Sequence, residues 1–161
     1  MKRSLSLVSA AMLLGVAHIA GLSSGAGATS STSVSVGNPI SVTNRLLVTV
    51  PVEIVCAPLS GDVDFGSSLV VDIKQASGKS VSEGTAFVGG MEGGTVSVTC
   101  DGSTVNTVPV TVVGDGPFHG GGAVAFVSFE HEVGTCTSPF GCQVTASDSG
   151  TFGPAGVRLR G

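Results

Sequence analysis

The 161-residue chain sets seven Lys and Arg against eleven Asp and Glu, for a net charge of −4 at pH 7, and holds four cysteines, no Trp and no Tyr. That length suits one domain with a real core, and the acidic balance makes nucleic acid and anionic membrane surfaces poor partners. The missing Trp and Tyr remove the aromatic platforms on which sandwich folds usually handle sugars.

Lys2 and Arg3 precede an uncharged, largely apolar stretch from Leu5 to Leu22, and Ala26-Gly27-Ala28 follows as a small-x-small cleavage site. This pattern predicts a secretory signal peptide over residues 1–28 rather than a retained anchor. No cysteine follows closely enough to accept a lipid, and no later segment reaches the ~20 apolar residues of a membrane helix. The mature chain is therefore expected to be secreted, extracellular and not inserted in a membrane. Five basic residues (Arg45, Lys74, Lys79, Arg158, Arg160) then face the eleven acids, a net charge of −6. Residues 29–37, "TSSTSVSVG", read as a flexible or weakly paired Ser/Thr leader, and residues 38–161 as the folded domain.

From there the pattern has period two. "LLVTVPVEIVC" puts Leu46, Val48, Val50, Val52, Ile54 and Cys56 on one face of a strand. Pro51 cannot donate to a ladder, so the strand is an edge there, bends there, or turns that position to solvent. "SLVVDIKQ" aligns Leu69, Val71 and Ile73, and "TAFV" around Phe87 reads as a short strand. "TVSVTC" aligns Val96, Val98 and Cys100. Asp101-Gly102 is a hairpin signal that would pair Val98 with Val105. Val108, Val110 and Val112 have the other parity, so a bulge or longer loop near Asn106 and Thr107 has to switch the face. "AVAFVSFEHEV" is apolar on both faces at first and reads as a central strand. "CQVTAS" and "GVRLR" close the chain, separated by the break "SDSGTFGP". About seven short strands punctuated by Gly, Ser, Asp and Asn predict an all-β, single antiparallel immunoglobulin-like β-sandwich.

All four cysteines survive cleavage, and an even count in a secreted chain implies two disulfides. Cys56 and Cys100 each end an inward face, and Cys136 and Cys142 flank a Pro/Gly loop. The expected pairs are Cys56–Cys100 and Cys136–Cys142. "CTSPFGC" lacks the converging ligands of a zinc site and the C-x-x-C spacing of a redox motif.

Other chemistry is sparse. In "FEHE", Glu130 and Glu132 point to the opposite face from His131 and cannot join it at one metal. His119 and His131 make at most a weak copper or zinc site; the plainer reading is a loop histidine and a half-exposed strand histidine. Asp62, Asp64 and Ser67 hint at a calcium loop but lack its full oxygen set and terminal Glu. "SGKS" (77–80) lacks the first Gly of a phosphate loop and reads as a hairpin turn. No Gly-x-Ser-x-Gly elbow and no free thiol offers a nucleophile. Neither an enzymatic activity nor a cofactor is expected. Phe118, Phe140 and Phe152 fall in Gly/Pro-rich stretches. They either plug the ends of the sandwich or form a small apolar patch for a ligand.

The order Cys56, Gln75-Ala76-Ser77-Gly78-Lys79, Cys100-Asp101-Gly102, Phe118-His119-Gly120-Gly121-Gly122-Ala123, Cys136, Cys142 and Val157-Arg158-Leu159 resembles a group of small secreted actinobacterial proteins of uncharacterised function, each with a signal peptide and one immunoglobulin-like sandwich. Locally, "CTSPFGCQVTASDSGTFGPAGVRL" (136–159) resembles the C-terminal hairpin of the neocarzinostatin-like apoproteins that carry enediyne chromophores. That family's first disulfide is short and local, whereas Cys56 and Cys100 stand 44 positions apart. The first resemblance implies a fold, and the second a sandwich with a ligand cleft. Together with the residues they lead to a secreted, monomeric, non-enzymatic module that is structural or binds an extracellular protein partner. The alternatives are a carrier of a small apolar ligand and a weak metal binder.

N-terminal sequencing of the exported protein is expected to begin at Thr29; a mature product that retains Leu13 and Leu14 would rule the cleavage out.

Overall fold

The computed structural model describes residues 32–89, 96–138 and 141–161; the expected signal peptide lies outside them. Eight strands run through the described residues: β1 (Ser33–Val36), β2 (Ile40–Thr43), β3 (Leu47–Val55), β4 (Val63–Ser77), β5 (Ser80–Gly89), β6 (Asn106–Val113), β7 (Gly121–Thr137) and β8 (Gly141–Arg160). The fold is all-β, and among these residues no helix is long and apolar enough to cross a membrane. β1 lies inside the stretch read as a leader. It pairs with β3 and buries Val34, so the domain begins before residue 38.

β3 is central to one layer. β6 pairs along one edge from Leu47↔Val113 to Ile54↔Asn106, while β1 and β2 share the other edge. The second layer runs β8-β7-β4-β5. β2 joins the two layers, because it is antiparallel to β3 and parallel to β8 through Ile40↔Leu159 and Ser41↔Arg160. At the opposite edge, Gly84 of β5 bridges Gly114 just beyond β6. A Cβ on Gly84 would collide with the Val113 carbonyl, so glycine permits this approach. The result is a β-sandwich with its layers tied together along both sides.

Alternation fills the space between. Val48, Val50, Val52 and Ile54 of β3, with Val110 and Val112 of β6, face Leu69, Val71 and Ile73 of β4 and Ala125, Val127 and Phe129 of β7; all are buried. Complete burial of such side chains contributes about 1.5–3 kcal/mol each. Leu46 shares the parity of Val48 but precedes the strand and is exposed.

Pro51 needs no outer edge. Gly37 N–H donates to its carbonyl (2.8 Å), so its amide side faces the β1/β2 edge. The missing N–H falls in the gap between Val36 and Ile40. Its partner across the ladder is Pro109, and that pair is of the kind that exchanges no hydrogen bonds.

Three sequence expectations are corrected. Residues 96–100 form no strand, although Val96 is buried and Val98 and Cys100 pack on the core. Asp101-Gly102 is not the turn of a hairpin. The Asp101 carboxylate instead accepts from Thr104 Oγ1 (2.6 Å), Thr104 N (2.6 Å) and Ser103 N (2.8 Å). These bonds, the Thr104 hydroxyl foremost, hold its carboxyl well below the usual carboxylate range. Asn106 accepts from Thr99 N (2.7 Å) and donates to Thr99 O (3.0 Å). Side chains thus replace the expected ladder, and Val105 is exposed. Finally, "SDSGTFGP" is no break: β8 is a single strand paired with β7 from end to end. Its Gly153-Pro154 sits where the register shifts between Ala125 and Val127, a bulge position that tolerates a proline without N–H.

The disulfides are Cys56–Cys100 (Cα–Cα 4.6 Å) and Cys136–Cys142 (3.9 Å), as expected from the sequence. The first ties the ladderless segment 96–104 to the end of β3, helped by Gly102 N–H donating to Cys56 O (2.8 Å). The second joins register partners at the tip of the β7–β8 hairpin.

The double substitution Cys56→Ala/Cys100→Ala is expected to lower stability by roughly 2–5 kcal/mol in urea denaturation, and Cys136→Ala/Cys142→Ala by less. Non-reducing peptide mapping that joins Cys56 to Cys136 or Cys142 would overturn the pairing.

Candidate functional site

Odd positions of β4 and β7 face the core, and even positions face outward. Near the β7–β8 hairpin, two bulges alter this outer face. In β4 the register passes from Asp64↔Val133 to Gly66↔Glu132, which leaves Phe65 as the extra residue. In β8 it passes from Val133↔Ala146 to Gly134↔Val144, which leaves Thr145 as the extra one. Bulges re-aim side chains, often beside functional sites. Gly66 supplies φ +93° at the first bulge, and its N–H donates to Asp64 Oδ1 (2.7 Å). The re-aimed Phe65 ring lies over Gly134, where a Cβ would strike both the ring and the Gln143 carbonyl.

The outcome is a cleft of about 560 Å³ on the outer face. Phe65, Phe87 of β5 and Val144 of β8 line it with apolar surface, and the exposed Cys142 marks its hairpin end. Phe87 is 56% exposed, Val144 50% and Phe65 38%. Ser68, Glu130 and Glu132 add polar groups to the same lining.

Behind the cleft, a polar row crosses the inner side of the sheet. Ser67, His131 and Asp148 are neighbours in register on β4, β7 and β8, and all three are buried. His131 is thus not a half-exposed strand histidine. Its Nδ1 lies 3.0 Å from Ser67 Oγ and 3.9 Å from Asp64 Oδ1. The Asp148 carboxylate accepts from Ala57 N (3.1 Å) and from Thr32 Oγ1. A second concavity of about 300 Å³ touches Asp64, Ser67, Val96 and His131. Ser67 Oγ and Asp64 Oδ1 both approach Nδ1, so Asp64 is not the acid of a serine-hydrolase relay, which needs serine and acid on opposite imidazole nitrogens. The row acts as a satisfied inner network that ties β8 to Thr32 and to the end of β3.

The sequence-derived candidates lie elsewhere. Phe118 is fully buried at the far end, with its N–H on Arg45 O (2.6 Å) and its ring against Gly114. Phe152 is a β8 residue, partly buried on the core. Phe140 lies outside the described residues. Neither Phe118 nor Phe152 lines the cleft. His119 precedes β7, roughly 30 Å along the strand direction from His131, and its backbone is held by the Gln75 side chain (2.8 and 2.9 Å). Asp64 is engaged with Gly66, and Ser67 with His131. Among the described residues no three His, Cys, Asp or Glu side chains gather as a metal site.

Phe65 and Phe87, which line the cleft, escaped the sequence reading. Phe65 sat in what read as an acidic turn and Phe87 in a short strand. The signal available for Phe65 was the Asp-Phe-Gly-Ser order, since a glycine beside an aromatic suits a bulge.

No protein-family model matches the chain, and no curated protein and no solved structure matches it.

Asp148→Ala is expected to lower stability by about 2–4 kcal/mol, because buried donors lose their acceptor. Glu130→Gln on the outer face is expected to change it by no more than about 0.5 kcal/mol. Urea midpoints check both, and an unshifted midpoint for Asp148→Ala would remove its role as a tie between layers.

Proposed function

We propose that the protein is a secreted, non-enzymatic binding module that holds a small, largely apolar ligand in the cleft between Phe65, Phe87 and Val144. The observation that carries this reading is the convergence of three exposed apolar side chains in one concavity on the outer face of the sheet. Its volume of about 560 Å³ lies within the range of roughly 300–1,000 Å³ typical of small-molecule sites. Secretion is supported by the basic start, apolar run and Ala26-Gly27-Ala28 signal, and two disulfides suit an oxidising compartment. The local resemblance of residues 136–159 to chromophore-carrying apoproteins agrees with a carrier, because that hairpin supplies Cys142 and Val144 to the cleft. A catalytic role finds less support, since the Ser67–His131 pair faces inward and both residues are buried.

Nile red, a neutral apolar dye, is expected to bind saturably at one site per chain with a blue-shifted emission. Phe87→Ala and Phe65→Ala should each weaken it about tenfold or more, given ~1.5–3 kcal/mol for a buried phenylalanine. Val113→Ala, an exposed apolar residue on the other layer, should leave binding unchanged. Equal binding by all variants would refute the cleft as the site.

A further inference from the structure

Resting on the reading of this cleft as a ligand site, we propose that it selects ligands carrying a cationic nitrogen, a protonated amine on an apolar body, which is held by Glu130 and Glu132. The two carboxylates lie on the same outward face of β7, two positions apart and so roughly 7 Å between Cα atoms. Their register neighbours are small: Ser68 and Ser149 flank Glu130, while Gly66 and Ser147 flank Glu132. Glu130 is exposed and Glu132 half-buried.

Among the described residues their charge is also uncompensated. The cleft lining contains these two acids and no basic side chain. Among the described residues neither glutamate has an ion-pair partner. Lys74 is paired with Glu83 (2.8 Å). Arg158 stands across from Gly122, eight residues up β7 from Glu130, or roughly 25 Å away. Arg45 and Arg160 lie near that same far end, beside Gly120 and Gly161.

Two like charges on one low wall repel each other, and a bound ammonium relieves that repulsion while gaining both attractions. Phe65 and Phe87 line the same cleft, where an aromatic ring adds a cation–π attraction to a bound ammonium. An anion of the same shape would meet both carboxylates without compensation, so the site discriminates by repulsion as well as by attraction.

The test uses three probes of one shape: naphthylmethylamine (cationic), naphthylmethanol (neutral) and naphthoate (anionic), titrated calorimetrically at low and at physiological salt. The amine is expected to bind at least tenfold more tightly than the alcohol at low salt, with the advantage shrinking as salt rises, and naphthoate more weakly than both. Glu130→Gln/Glu132→Gln should abolish the advantage of the amine over the alcohol. Equal affinity for amine and alcohol in the unaltered protein, or an amine preference that survives the double substitution, overturns the cation selection and leaves the cleft reading standing. If none of the three probes and no Nile red binds, the cleft reading itself fails and this inference falls with it.

Discussion

Pro51 has no N–H to give, and much of the architecture follows from where that gap is placed. In the middle of a central strand a proline costs a ladder hydrogen bond. Here β3 faces Pro109 across a pair that exchanges none, and on its other edge the partner strand is interrupted between Val36 and Ile40. Because that strand is broken, its second half can leave the first layer. β2 uses the freedom to lie parallel to β8 while still paired with Thr43↔Leu47 and its neighbours on β3. The edge that would otherwise expose unpaired N–H and C=O groups is thereby covered.

Covering that edge through β8 leaves the other end of β8 free to run on. β7 and β8 are 17 and 20 residues long, whereas β3 has nine. The excess projects as the hairpin clasped by Cys136–Cys142, and the cleft forms where this hairpin leaves the sandwich. A straight ladder would present short side chains of β4 and β8 there, such as Ser68 and Ser147. The bulges at Phe65 and Thr145 turn two strands enough to bring an aromatic ring over Gly134 and to set Val144 beside Cys142. Exposed apolar groups scattered singly need no explanation, but several brought together in one hollow do.

The same bulges mark the limit of what the sequence discloses. Strict alternation along β3, β6 and the middle of β4 is a local signal, and it identified the buried faces of Val48 to Ile54, Leu69 to Ile73 and Val108 to Val112. The parity of Cys56 and Cys100 carried the long disulfide. Alternation fails wherever one residue is inserted, because every side chain beyond it changes face, so the outward aim of Phe65 was invisible. Long-range partners were equally hidden. Nothing near Asp101 announces that its own turn would replace a hairpin, nor that Asn106 would bond both sides of Thr99. The burial of His131 depends on Ser67, 64 positions earlier. Phe118 and Phe152 were singled out because they stand among glycines and prolines, yet Gly114 makes room for the first in the core and β8 carries the second onto it.

The inner polar row and the outer carboxylates are two consequences of one register. On β7 the sequence Phe129-Glu130-His131-Glu132 alternates inward and outward. A slip of one residue against β4 and β8 would drive Glu130 and Glu132 into the sandwich and expel Phe129 and His131. Burying an unpaired carboxylate costs several kcal/mol, and the slip would also break the Ser67–His131 bond and misplace Asp148 relative to Ala57. Apolar alternation fixes this register through the buried Phe129, Val133 and Leu69. The buried Ser67, His131 and Asp148 add to that specificity, since the slip breaks hydrogen bonds that the native alignment makes. The cleft inherits its geometry from that alignment, because the strand that presents Glu130 and Glu132 to solvent is held in place by the histidine between them.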